Sequence, residues 1–151
     1  MKISEILATL SKAPIVVHHQ KFIVEAAGIM AENNIGALVV VDENGNIKGV
    51  ISERDITYAL GNLNEAVLGG VVADLMTSNI VTIQPDETVE DAVYVFKAGL
   101  FRHLVVVENG KPVGVISIRD ILRNLAPLLL EAKTRLDEEK VTNLLRVLNA
   151  A

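Results

Sequence analysis

The stretch Gly49-Val50-Ile51-Ser52-Glu53-Arg54-Asp55-Ile56 returns as Gly114-Val115-Ile116-Ser117-Ile118-Arg119-Asp120-Ile121, changed only where Glu53 becomes Ile118. A repeated octapeptide of this kind marks a duplicated structural unit. Working outward, Leu38-Val39-Val40-Val41 matches Leu104-Val105-Val106-Val107, and Asn44-Gly45 matches Asn109-Gly110. The offset is 66 at Leu38 and 65 at Gly49, so the first turn holds one extra residue, assigned to Glu43. Turns absorb such changes without disturbing the elements they join.

Each half follows one pattern. A short extended segment comes first, Ile15 to Val17 and then Val81 to Ile83. Helical spacing turns Ala26, Ala27, Met30 and Ile35 inward in the first half, and Val89, Ala92, Val93 and Phe96 in the second. Thr88 and Asp91 have the spacing of a helix-capping pair. An apolar strand, an Asn-Gly turn and a second strand ending at Ser52 or Ser117 make a hairpin, and a last helix runs to Leu60 or Leu125. The expected fold is α/β (α+β): two repeats, each strand-helix-strand-strand-helix, packed about a pseudo-two-fold axis, plus a C-terminal helix. One repeat alone buries too little apolar surface to be stable. The expected divisions are residues 1–65, 66–126 and a helical tail at 127–151, with a soft joint over Gly61 to Gly70. Ile3-Ser4-Glu5-Ile6-Leu7 weakly echoes Val72-Ala73-Asp74-Leu75-Met76, and each opens its half.

The repeated motif is Gly-h-h-Ser-x-x-Asp, with h apolar, placed where a strand meets a helix. A serine there caps the helix and the aspartate returns a hydrogen bond, together contributing on the order of 1 kcal/mol. The same corner exposes backbone donors and a carboxylate able to accept two hydroxyl protons, as vicinal ribose hydroxyls would present them. Each such charge-assisted bond is worth roughly 1.5 to 3 kcal/mol. Phosphate, repelled by Asp55 or Asp120, would turn towards a cation. A base would lie among aliphatic residues, Ile15, Val17 and Ile51 or Val81, Ile83 and Ile116, and be read by main-chain groups of each half's first strand.

These residues resemble the CBS family, named for its occurrence in cystathionine β-synthase, over roughly residues 3 to 125. The resemblance implies a stand-alone tandem pair, in which Ser52 with Asp55 and Ser117 with Asp120 contact the ribose or phosphate of an adenosine ligand. It also implies phosphate contacts for Arg102 and His103, ahead of Leu104, where the first half has Gly36 and Ala37 ahead of Leu38. The two clefts are therefore expected to be unequal. Val39 and Val105 stand where the family often has proline. The implied ligand is AMP, ADP or ATP, with S-adenosylmethionine and NADH as further candidates. The implied role is a non-catalytic, energy-sensing regulatory module, a homodimer able to act on a protein partner, with no required cofactor.

Composition narrows the rivals. Half of the residues are hydrophobic and 22% are charged, a globular balance. A net charge of −5, 3% aromatics and no Trp disfavour nucleic-acid binding, which stays as a weak alternative through the Arg102 side. No cysteine, no secretion signal and no membrane-length apolar run lead to an expected cytoplasmic location. No nucleophile and base pair, phosphate loop or metal spacing supports enzyme chemistry. His18 and His19, adjacent on an extended segment, are expected to face opposite ways and so not to share a metal. Arg54 and Arg119 are expected on another helix face than the motif aspartates, in ion pairs. In the tail, Val141, Leu144, Leu145 and Leu148 form an apolar face for self-packing, a second copy or a partner. The remaining alternative is an assembly module whose clefts bind nothing.

Overall fold

The computed structural model describes residues 1–10, 13–99 and 102–149, the side chains of 141 and 143–149 excepted. It divides into two units, Met1–Ser117 and Ile118–Ala151. In the first, α1 (Ile3–Thr9) precedes β1 (Val16–His18), α2 (Ile23–Asn33), β2 (Ala37–Val41), β3 (Ile47–Ser52) and α3 (Glu53–Leu63). Two short 3-10 turns lead to β4 (Thr82–Ile83), α4 (Val89–Ala98), β5 (His103–Glu108) and β6 (Lys111–Ser117). The second unit is one helix, α5 (Ile118–Asn149).

Both halves build a three-stranded sheet with the hairpin's first strand central, in the orders β1-β2-β3 and β4-β5-β6. β1 joins β2 in parallel across α2, and β4 joins β5 in parallel across α4. The hairpin partners are antiparallel, and each ladder shifts register once, at Val40/Val41 and at Val106/Val107. This matched irregularity repeats the duplication at the level of the backbone. Val17, Ile23, Ala26, Met30, Leu38, Val40, Ile51 and Ile56 form the first core.

Val72 completes that core, although it follows the joint. Its backbone N–H donates to Lys21 O (2.8 Å), Ala73 N–H to His19 O (2.9 Å), and Val50 and Thr77 exchange two bonds (3.0 and 2.9 Å). The opposite exchange occurs at the other end. Ile3 and Ser4 donate to Glu87 O and Pro85 O (2.9 and 2.8 Å), Val89 donates to Met1 O (3.0 Å), and α1 lies on β6. Ile3 and Ile6 are completely buried there. The segment that opens each half thus packs on the other half. Hydrophobic spacing marks such a segment as apolar on one side but does not say which sheet it covers.

The glycine of the repeated motif is explained by this exchange. A Cβ at Gly49 would stand 2.5 Å from Thr77 O and 3.0 Å from Met76 Sδ, and one at Gly114 would stand 2.4 Å from Leu7 Cδ2. Leu7 and Met76 hold matching places in the two echoing segments. Each bare strand position therefore admits the equivalent side chain of the exchanged segment.

Several local expectations need correction. Only the second hairpin has the two-residue turn, with Asn109 and Gly110 both at positive φ (51° and 77°) as such tight turns require. The first is a longer loop over residues 42–46, in which the Asp42 carboxylate accepts from the N–H groups of Asn44 (3.0 Å) and Asn46 (2.9 Å). Val93 is 43% exposed rather than inward, because α4 buries Val89, Ala92 and Phe96 and its apolar stripe is narrower than the spacing suggests. The helix expected to end at Leu125 and the tail are one helix that contains Pro127. Proline removes one N–H and one bond, a loss that a long helix can carry. The side chains of Val141, Leu144, Leu145 and Leu148 lie outside the described residues.

Candidate functional site

The first motif behaves as a reciprocal cap. Asp55 Oδ2 accepts from Ser52 N–H (2.8 Å) and from Ser52 Oγ–H (2.7 Å), while Ser52 Oγ accepts from Asp55 N–H at 3.4 Å. Both residues are half-buried. One carboxylate oxygen is thus committed to the corner, and none of these bonds uses Oδ1.

Strand pairing sets what surrounds this corner. Ala37 is opposite Ser52, and His103 is opposite Ser117, so each strand entry lies beside the serine that ends its hairpin. β2 also touches β6, which brings the two hairpins together. Gly36, one residue ahead of β2, stands near both halves. Its carbonyl accepts from Glu53 N–H (3.0 Å), and a Cβ there would lie 3.2 Å from Glu53 Oε2 and 3.4 Å from His103 Nε2. An acid from the first motif and an imidazole from the second half therefore face one another across a residue with no side chain. Two carboxylates, Glu53 and Asp55, stand on the first-half side, so an anionic group would be held from the His103 side.

The residues named from sequence do not share one environment. Gly36, Ala37, Ser52 and His103 converge, with Ser117 paired to His103. Arg102 is exposed immediately before β5. Val17, Ile51, Ile83 and Ile116 are 3%, 0%, 2% and 0% exposed. Their side chains belong to the core, so what they can offer a base is main chain. Ile15 is half-buried against the first core, and Val81 is 39% exposed. β1 and β4 are both edge strands, so main-chain reading of a base stays open to them. Asp120 is half-buried as the third residue of α5.

Glu53 was missed by sequence reasoning. The signal was present, since position 53 is the single mismatch in the repeated octapeptide. Arg54 also needs correction. It borders the same shallow hollow of about 410 Å³ as Asp55, Tyr58, Asn62 and Leu75, and it makes no ion pair among the described residues. Neighbouring positions at the start of a helix can both edge a broad hollow, and an exposed guanidinium gains little from pairing.

His18 and His19 do not face opposite ways. Strand β1 ends at His18 and His19 enters a turn, so the two-residue alternation stops between them. Their ring centroids are 4.6 Å apart, and both Nε2 atoms lie 3.5 Å from Glu43 Oε1. The Glu43 carboxyl is held below its usual range, first by its own backbone N–H and then by the neighbouring His19 and His18 rings.

Comparison with known proteins places this geometry. The family model described as CBS domain matches residues 3–62 and 72–127. The chain is 39% identical over 104 residues, 68% of its length, to an uncharacterized 17.7 kDa protein of Acidianus ambivalens. It is 35% identical over 115 residues, 76% of its length, to the L-aspartate semialdehyde sulfurtransferase of Methanocaldococcus jannaschii. It spans 62% and 22% of the lengths of these two relatives. The CBS domain-containing protein YhcV of Bacillus subtilis is 30% identical over 80% of the chain and 85% of its own length.

Among solved structures, the CBS-domain containing protein ATU1752 from Agrobacterium tumefaciens is 33% identical with a TM-score of 0.79, over 82% of this chain and 98% of that one. The CBS domain protein PAE2072 from Pyrobaculum aerophilum, complexed with AMP, is 31% identical with a TM-score of 0.72, over 84% and 99%. The CBS domain pair of protein MJ0100, in complex with 5′-methylthioadenosine and S-adenosyl-L-methionine, is 30% identical with a TM-score of 0.75, over 84% and 97%. With two matched repeats, two interlocked sheets and neighbours of the same build, the chain belongs to the CBS domain family, as a tandem pair.

Proposed function

We propose that this tandem pair is a regulatory module that binds an adenosine-containing ligand, AMP, ADP or ATP in the first place, where its two halves meet. The observation that carries the reading is the Gly36 junction, where Glu53 of the first motif and His103 of the second half close on one backbone position too tight for a side chain, in a chain about 30% identical to pairs that hold AMP, 5′-methylthioadenosine and S-adenosylmethionine. Asp55 takes the ribose hydroxyls with its second oxygen, while Arg102 and His103 take the phosphate. Ser117 and Asp120 are given the same roles as Ser52 and Asp55 on the strength of the duplication. Glu53 and Ile118, at matching places, make the two positions unequal.

As a regulator the module needs a ligand that binds one arrangement of the chain better than another, since only differential affinity moves an equilibrium. The repeats at 1–65 and 66–126 form the sensor in this reading, and the helical tail at 127–151 carries the output to a partner. The expected acting form is a cytoplasmic homodimer.

Isothermal titration of ligand-stripped protein with AMP, ADP, ATP, S-adenosylmethionine and NADH tests the reading. Saturable binding of at least one is expected, weakened by roughly 2 to 5 kcal/mol when Asp55 and Asp120 are both replaced by Ala. No heat with any of them favours the assembly-module alternative, and binding untouched by the double replacement takes the ligand away from the Asp55 and Asp120 corners.

A further inference from the structure

At the end of β1, far along the strand from the serine corner, three side chains with metal-binding atoms converge on the first hairpin loop. His18 Nε2 and His19 Nε2 each lie 3.5 Å from Glu43 Oε1, and the three candidate ligand atoms all fall within 4.8 Å of one another. At 3.5 Å the contacts are long for hydrogen bonds, whose N···O distances cluster near 2.9–3.0 Å. They are close to the edge of a tetrahedron built on bonds of about 2.0–2.1 Å, roughly 3.4 Å.

We propose that His18, His19 and Glu43 form a binding site for a divalent transition-metal ion, with Zn²⁺ the best match to two imidazoles and a carboxylate. The backbone on both sides is already fixed. His19 N–H donates to Val41 O (3.0 Å), and His19 O accepts from Ala73 N–H of the exchanged segment (2.9 Å). The loop bearing Glu43 is held by Asp42, whose carboxylate accepts from the Asn44 and Asn46 backbones and from the Asn46 side chain (3.0, 2.9 and 3.1 Å). Binding leaves these backbone bonds in place and needs side-chain closure with a change of the His18 tautomer. His18 Nδ1 accepts from Gln20 N–H at 3.2 Å, so the neutral ring carries its proton on Nε2. Coordination through Nε2 moves that proton to Nδ1 and releases the exposed Gln20 amide to water.

The duplication supplies an internal comparison. The second half has Gln84 and Pro85 where the first has His18 and His19, and its two-residue turn lacks a counterpart of Glu43. The fold is built without this triad, so the fold does not require it. Three protein ligands leave a fourth position for water or for a group from another molecule. An ion there would tie β1, the 42–46 loop and, through the His19 carbonyl, the exchanged segment together.

The test is titration of the full chain with zinc chloride, followed by calorimetry and by long-range ¹H–¹⁵N spectra of the histidine rings. The chain has three histidines, so His103 serves as the internal reference. The expected result is one ion per chain, metal-type shifts at the His18 and His19 rings with His103 unmoved, and affinity at least about tenfold weaker in His19→Ala and in Glu43→Gln. No binding, shifts at His103 alone, or affinity equal in wild type and both variants would overturn the assignment. The wild-type ring spectra decide the matter even if His19→Ala fails to fold.

Discussion

Gly49 and Gly114 occupy the same place in the repeat but meet different obstacles. At Gly49 the nearest obstacle is a backbone carbonyl, Thr77 O, held by the reciprocal Val50–Thr77 bonds. At Gly114 it is a terminal methyl of Leu7, which can change rotamer. Gly49→Ala is therefore expected to cost about 1–3 kcal/mol, the range for overpacking a filled site, and Gly114→Ala clearly less. Urea unfolding of the two variants measures this, and equal losses would contradict the exchange geometry. The residue scale also shows what the sequence conveyed. Ser52 and Asp55 were legible as a cap because capping depends on spacing alone. Glu53 was not, because its importance comes from His103 and Gly36, which reach it only through the fold.

Among the elements, α4 begins with a reciprocal cap. Thr88 Oγ accepts from Asp91 N–H (3.2 Å), and Asp91 Oδ2 accepts from Thr88 N–H (2.9 Å) and Thr88 Oγ–H (2.6 Å). The Thr88 hydroxyl, and after it the backbone N–H, hold the Asp91 carboxyl below its usual range. A carboxyl depressed in the folded state stabilises it above the unfolded carboxyl's range, and that contribution is lost as pH falls through the folded value. Thr88→Ala is expected to move the Asp91 titration up towards the ordinary range and to shrink the acid-side loss of stability attached to it. Carboxyl ¹³C shifts followed against pH check this, and an unmoved Asp91 would refute it. Element order and both hairpins were readable because each depends on local periodicity and turn chemistry. The His18–His19 orientation was misread because the strand stops one residue earlier than alternation assumes. The first turn was misread because Asp42 organises a longer loop around the same Asn-Gly pair.

Across the whole molecule, the exchange of leading segments makes the two halves interdependent. Ile3 and Ile6 are completely buried against the second half. Burying each is worth about 1.5–3 kcal/mol, so deleting residues 1–9 is expected to remove roughly 3–6 kcal/mol. Hydrogen exchange should show protection lost first in β4–β6, the sheet that α1 covers, and not in β1–β3 of the half to which α1 belongs by sequence. Loss in β1–β3 alone would reverse the assignment. The same interlocking brings Gly36, Glu53 and His103 together, and the proposed ligand site depends on it. Backbone amide NMR of ligand-stripped protein during AMP addition tests that claim most directly. The account predicts saturable shifts concentrated at Gly36, Ala37, Ser52, Glu53 and His103. An unchanged spectrum at millimolar AMP, or shifts that leave these five residues unmoved, would contradict it.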